Sequence, residues 1–214
     1  MKIGIIGAGR IGGTAARLFA GAGHEVVLSN SRGPASLSDL VAAINREVGE
    51  GRAQAATAAD AAKFSDIVML AAPWRADEAL PDPDLVRGKI VIDAMNAYGE
   101  SGSVIDLGGS GSSEEVAKRL PGARVVKAFN TIYYQHLVGQ GRPNAPLAER
   151  RAIFIAGDDP TAKRIVSDLI RQIGFGPVDT GTLREGGRTQ QPGTPVYNRD
   201  LTQAEAVAML AGAS

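Results

Sequence analysis

The sequence predicts an α/β protein of the Rossmann type, with a doubly wound, mostly parallel sheet and a short C-terminal extension. Three observations predict it. Short apolar runs alternate with helix-period segments along most of the 214 residues. The first run, Lys2–Ile6, passes straight into Gly7-Ala8-Gly9-Arg10-Ile11-Gly12, and a helix-forming segment follows at once. A later run, Ile67-Val68-Met69-Leu70-Ala71, is continuously apolar, as a strand covered on both faces would be.

The glycine spacing is the dinucleotide-binding fingerprint. Gly7 allows the tight turn off the strand, Gly9 lets backbone approach a pyrophosphate, and Gly12 lets the helix pack close. The helix N-terminus then offers unpaired N–H groups and the positive end of its dipole to the phosphates. That helix is expected over residues 10–22, with Ile11, Ala15, Leu18 and Ala22 facing inward. Gly21-Ala22-Gly23 ends it, His24-Glu25-Val26-Val27-Leu28 starts the second strand, and His24 reads as a solvated turn residue.

The end of the second strand selects the cofactor. NAD enzymes of this class place an acid there, about 20 residues past the glycines, on the ribose 2′-hydroxyl. This chain has Ser29-Asn30-Ser31-Arg32. An acid repels a 2′-phosphate, whereas hydroxyls and a guanidinium accept one. The expectation is NADP(H), with Ser29, Ser31 and Arg32 around the 2′-phosphate; the competing reading is a polar turn into Gly33-Pro34.

A second helix carries Leu37, Leu40, Val41, Ile44 and Val48 on one face, and a weak strand lies near residues 53–56. Thr57 to Asp60 read as a helix start. The fourth strand stops at Ala72-Pro73-Trp74, where open α/β sheets place ligands. Trp74, the single tryptophan, walls the nicotinamide or simply covers the sheet end. The fifth strand, Lys89–Asp93, leads to Asn96, which orients a carboxamide or ribose or else shapes a turn. Residues 99–111 form a Gly/Ser loop, and the next helix, 113–120, is capped by Ser112 or Ser113.

The sixth strand, Arg124–Phe129, runs into Asn130-Thr131-Ile132-Tyr133-Tyr134-Gln135-His136. Residues 139–146 read as a polar loop and candidate lid, and His136 as a surface residue. The seventh strand is Ala152–Ala156. Asp158-Asp159-Pro160 then opens an amphipathic helix whose stripe is Ala162, Ile165, Val166, Leu169, Ile170 and Ile173. A last strand, 177–180, completes an NADP-binding unit over 1–180. Residues 181–214 add a long loop, functional or mobile, and a short helix with the capping box Thr202-Gln203-Ala204-Glu205 and Leu201 as its staple.

Composition bounds the chemistry. Lys+Arg and Asp+Glu are 23 each, which advertises neither nucleic acid nor an anionic membrane. There is no cysteine, hence no disulfide or thiolate, and two histidines make no metal cluster. No apolar run approaches the roughly 20 residues of a transmembrane helix, and a cytoplasmic protein without a metal is expected. No nucleophile elbow or paired-acid motif appears, so no catalytic side chain is assigned. Hydride transfer between two bound cofactors needs placement rather than an acid–base residue.

Taken together, Gly7-Ala8-Gly9-Arg10-Ile11-Gly12-Gly13, Ser29-Asn30-Ser31-Arg32-Gly33-Pro34, Ala72-Pro73-Trp74 and Lys127-Ala128-Phe129-Asn130-Thr131-Ile132 resemble the F420-dependent NADP oxidoreductase family. The resemblance implies hydride transfer between NADP(H) and the deazaflavin coenzyme F420, in a homodimer. It places Gly7 to Gly12 on the pyrophosphate, Ser29, Ser31 and Arg32 on the 2′-phosphate, and Pro73 and Trp74 beside the nicotinamide. Asn130, Thr131 and Ile132 would border the pocket shared by nicotinamide and deazaflavin. Members carry a proline after the Thr-Ile pair, where this chain has Tyr133-Tyr134.

Three other readings compete. One is an NADPH-dependent flavin or ferric reductase, a free-standing analogue of the membrane enzymes that share this module. Another is a 3-hydroxyacid dehydrogenase or pyrroline-carboxylate reductase, for which a long helical domain is missing. The third is a non-enzymatic NADP(H)-binding sensor or regulatory subunit.

Overall fold

The computed structural model describes residues 1–74 and 80–212. Eight strands form one sheet in the order β3-β2-β1-β4-β5-β6-β7-β8. They are β1 (Lys2–Ile6), β2 (Glu25–Ser29), β3 (Ala53–Ala55), β4 (Ile67–Leu70), β5 (Ile90–Asp93), β6 (Arg124–Ala128), β7 (Ala152–Gly157) and β8 (Gly176–Asp179). Every neighbouring pair is parallel except β6–β7, where Lys127 stands opposite Ala156. The strand order reverses direction between β1 and β4, and that switch point places the ligand crevice at the carboxyl ends of β1 and β4.

Side-chain alternation along the strands builds two cores. Ile3, Ile5, Val26, Leu28, Ile67, Met69, Ile90, Ile92, Val126 and Ala128 point into one, under helices α1 (Arg10–Gly21), α2 (Ser38–Val48) and α7 (Pro160–Gln172). Ile6, Val68, Leu70, Val91 and Val125 point into the other. Helices α3 (Ala58–Phe64), α4 (Pro83–Val86) and α5 (Ser112–Arg119) contribute Ala62, Val86 and Val116 there. The helix α6 (Tyr134–Gly139) lies against α1. The one-turn α8 (Gly186–Thr189) packs on β7 and α5, and α9 (Gln203–Gly212) on β8.

Helix boundaries follow their caps. Thr57 Oγ1 accepts the Asp60 N–H at 3.1 Å, and Asp159 accepts the Ala162 N–H at 2.8 Å. The Thr202–Glu205 box closes in both directions, at 2.8 and 3.3 Å.

Four expectations are corrected. The buried face of α1 is Gly12, Gly13, Ala15, Ala16, Phe19 and Ala20; small residues let the helix lie on the sheet, and Ile11, Leu18 and Ala22 only flank that contact. His24 is buried rather than solvated: Nε2 donates to Gln172 Oε1 at 2.8 Å, while Nδ1 faces the Met1 amino group at 3.2 Å. Burial pushes its pKa below 6.5, against the pull of the Gln172 hydrogen bond. Neither Ser112 nor Ser113 caps α5. Gly111 occupies that position, its N–H donating to Glu114 Oε2 at 2.6 Å, and both serines turn inward. The tail loop is partly packed, with Gly186, Gly187, Gln190 and Val196 buried.

Candidate dinucleotide site and the strand-end cluster

The glycine turn is shaped by contact at two positions and left open at the third. Gly7 has φ +103°, and a Cβ there would stand 2.5 Å from the Ala72 nitrogen. A Cβ on Gly12 would collide with the Gly7 carbonyl oxygen. A Cβ on Gly9 would meet nothing within 4 Å. Open space at Gly9 lies at the start of α1, whose first turn has neither a side-chain cap nor an acid. Backbone donors without a partner beside a free face fit a pyrophosphate. Arg10 adds a positive charge at this end, its guanidinium 4.9 Å from the Tyr134 ring centroid. Ala8 and Ile11 are partly exposed.

The loop after β2 divides into a buried and an exposed part. Ser29 is fully buried and its hydroxyl donates to the Ile5 carbonyl at 3.2 Å. It fastens β2 to β1 and presents nothing to a phosphate, which corrects the expectation for this residue. Asn30 Oδ1 accepts the Arg32 N–H at 3.0 Å, and its amide contacts Ser36 Oγ at 2.9 Å, so Asn30 shapes the turn. Ser31 and Arg32 are exposed, and the Arg32 guanidinium makes no ion pair among the described residues. Acids are absent from residues 29–38.

At the ends of β4, β5 and β6 the predicted residues take different roles. Pro73 is exposed and Ala72 half-buried. Trp74 packs partly on the second core and is otherwise open. Asn96 and Asn130 meet: Asn130 Nδ2 donates to Asn96 Oδ1 at 3.0 Å and to the Gln190 carbonyl at 2.7 Å. Asn96 Nδ2 donates to the Asn130 carbonyl at 2.9 Å and contacts Tyr197 Oη at 3.3 Å. Tyr98 and Tyr197 hydroxyls lie 3.1 Å apart, and burial, aided by this contact, holds the Tyr197 phenol protonated well above its ordinary range. Thr131 and Ile132 are 3% and 4% exposed, and Ile132 joins the main core. Both side chains are packed inside among the described residues. Phe129, immediately before this turn, has φ +67°, a strained value for a bulky residue.

Sequence reasoning missed a buried charged network next to this cluster. The β5–β6 register sets Asp93 opposite Lys127, and both are fully buried. Asp93 accepts the Ser113 hydroxyl at 2.6 Å and the Met95 N–H at 3.0 Å. Lys127 Nζ donates to Ser112 Oγ at 2.9 Å, to Ser113 Oγ at 3.3 Å and to the Met95 carbonyl at 3.4 Å. Burial pushes the lysine pKa down and Asp93 opposes it. The missed signal is parity. Lys127 shares a face with Val125, and Asp93 with Val91, so both charges occupy core positions.

Among the described residues no group of three or more His, Asp or Glu could hold a metal, and no helix is long and apolar enough to cross a membrane.

Residues 2–97 match the family model for NADP oxidoreductase, coenzyme F420-dependent. The crystal structure of a hypothetical protein from Sinorhizobium meliloti is 37% identical, with TM-score 0.78 over 94% of this chain and 95% of that one. A proposed F420-dependent NADP reductase from Arthrobacter sp. FB24 superposes with TM-score 0.68 at 24% identity, covering 100% of this chain and 91% of that one. The rat metalloreductase STEAP3 is 29% identical over 183 residues, 85% of this chain. The match spans 34% of that protein's length, and a 55-residue match, 43% identical, spans 39% of Escherichia coli YjhV, so the chain covers well under two thirds of the curated relatives that it matches. Over residues 2–97, a little under half of its length, the chain matches the coenzyme F420-dependent NADP oxidoreductase family.

Proposed function

We propose that this protein transfers a hydride between NADP(H) and a flavin-like acceptor, foremost the deazaflavin coenzyme F420. One observation carries the cofactor half: an open Gly9 face over the uncapped N-terminus of α1, followed at the end of β2 by an exposed arginine without an ion pair among the described residues, and no acid in residues 29–38. In this reading Gly7, Gly9 and Gly12 hold backbone against the pyrophosphate, and Ser31 and Arg32 hold the 2′-phosphate. Ala72, Pro73 and Trp74 border the nicotinamide, and the Asn96–Asn130 pair fixes the turn beside it. When bound, NADP(H) supplies or accepts the hydride itself; the chain contributes position and exclusion of water.

The family match over residues 2–97 supports F420 as the partner. A second reading, reduction of a flavin or a ferric chelate, is favoured by the likeness to the metalloreductase. One assay separates them: NADPH oxidation followed in parallel with F420, FMN, FAD and ferric chelates. Turnover with F420 alone supports the first reading, and turnover with flavin or ferric chelate alone the second. No turnover with any acceptor refutes both.

A further inference from the structure

Tyr134 stands where α6 meets the start of α1, with its ring against Arg10. The guanidinium carbon is 4.9 Å from the ring centroid, inside the roughly 6 Å over which an aromatic face attracts a cation. Gly9, Arg10, Thr14 and Tyr134 line one cavity of about 400 Å³, so the pair borders the same opening as the free face of Gly9. Two arginines line this cavity. Arg17 pairs with Glu47 at 3.3 Å, whereas no carboxylate pairs with Arg10 among the described residues. Arg10 is the first residue of α1, where the helix dipole disfavours a cation, and the first turn holds no acid to offset it. The charge stays uncompensated until an anion arrives.

The ring is held in place from several sides. Leu137, fully buried in the main core, anchors the middle of α6. At the far end Gln140 Nε2 donates to Asp200 Oδ2 at 3.0 Å. Asp200 Oδ1 in turn lies 3.4 Å from Nη1 of the buried Arg151. The Tyr133 ring is tilted against that of Tyr134, with centroids 5.2 Å apart. An arginine that must be ordered on binding loses rotamer freedom, and a fixed ring that already holds the guanidinium lowers that loss. Contact through the aromatic face leaves the N–H donors of the guanidinium available for oxyanions.

We propose that Tyr134 is a positioning residue for the dinucleotide: its ring holds the Arg10 guanidinium beside the Gly9 face, where the N–H donors meet the pyrophosphate oxygens. The assignment rests on the NADP(H) reading above. It concerns phosphates that NADPH and NADH share, so its signature differs from that of Arg32 on the 2′-phosphate. The ring comes from Tyr133-Tyr134, the point at which the chain departs from the family pattern, and is therefore a feature of this chain rather than of the glycine fingerprint.

The test is calorimetric titration of NADPH and NADH with wild type, Arg10→Ala, Tyr134→Leu, Tyr134→Phe and the double variant Arg10→Ala/Tyr134→Leu. Arg10→Ala should raise both Kd values at least about fivefold, by similar factors. Tyr134→Leu should raise both at least about threefold, and Tyr134→Phe, which keeps the ring, should stay within about twofold of wild type. In the Arg10→Ala background the loss of the ring should add less than about twofold. Loss in Arg10→Ala with none in Tyr134→Leu shows an arginine that acts unaided and overturns the proposal. A full further loss in the double variant shows a ring that acts otherwise than through Arg10, and overturns it too. Loss for NADPH alone moves Arg10 to the 2′-phosphate, again against the proposal. Wild-type binding in every variant overturns the proposal while the NADP(H) reading stands, and a wild type that binds neither dinucleotide overturns both. If circular dichroism shows that Tyr134→Leu does not fold, Arg10→Lys takes its place, since it keeps the charge without the guanidinium. A loss of at least about threefold for both dinucleotides then supports the proposal, and wild-type affinity overturns it.

Discussion

Replacing Arg32 with alanine isolates the choice of cofactor. Its guanidinium is exposed and makes no ion pair among the described residues, so truncation leaves folding stability within about 0.5 kcal/mol. In the NADPH complex it would make a charge-assisted hydrogen bond to the 2′-phosphate, worth about 1.5–3 kcal/mol. At roughly 1.4 kcal/mol per decade this is a ~10- to 150-fold loss, and solvent exposure places the effect toward the lower figure. NADH has no 2′-phosphate, so its Kd should stay within about twofold. Wild type should bind NADPH at least about tenfold tighter than NADH, and the variant should lose most of that gap. The gap should also narrow as ionic strength rises, since the pair lies in water. Calorimetric titration of both cofactors with both proteins gives all four constants. Equal loss for NADH and NADPH, or equal affinities in the wild type, would refute the assignment of this loop to the 2′-phosphate.

Other substitutions probe separate links of the argument. Gly9→Ala meets open space, so its melting temperature should match wild type while dinucleotide binding falls; the reverse pattern would place the phosphates elsewhere. Gly12→Ala drives a Cβ into the Gly7 carbonyl and should unfold or strongly destabilise the protein, as circular dichroism would show. Asn130→Ala strands the Gln190 carbonyl and Asn96 Oδ1, each costing about 1–3 kcal/mol, and a denaturant midpoint within error of wild type would contradict that. His24, whose folded pKa lies below 6.5, takes up a proton in the unfolded chain first. Stability should therefore fall as pH drops through about 6.5, and His24→Gln should flatten that part of the profile. Addition of NADP⁺ should quench the fluorescence of Trp74, the single tryptophan, and an unchanged signal would move the nicotinamide away from it.

Much of the fold was legible because its signals are local. The glycine turn, the apolar runs and the Thr57, Asp159 and Thr202 caps each act over a few residues, and each is found where the sequence places it. The errors arise where the tertiary surroundings decide. His24 reads as a turn residue until Gln172, 148 positions later, closes over it. Ser29 has the chemistry of a phosphate ligand, but strand alternation turns its hydroxyl under Ile5. Ser112 and Ser113 look like caps, yet the buried lysine and aspartate draw both inward. The short helices α4, α6 and α8 have too few turns to show a period. Asn96 and Asn130 were placed correctly at strand ends, but their pairing with the tail depends on contacts that no spacing reveals.

The returning tail has a consequence for the order in which the molecule assembles. The bonds that complete the strand-end cluster span 60 residues from Asn130 to Gln190 and 101 from Asn96 to Tyr197. Such closures carry a large entropic cost before they yield contact energy, whereas the β1–α1–β2 unit closes over some 25 residues. A refolding chain therefore regains its nucleotide cradle while the far end of the crevice is still open. The protein should pass through a state able to grip phosphates and unable to seat a ring, so stopped-flow refolding should recover anion binding ahead of full dinucleotide affinity.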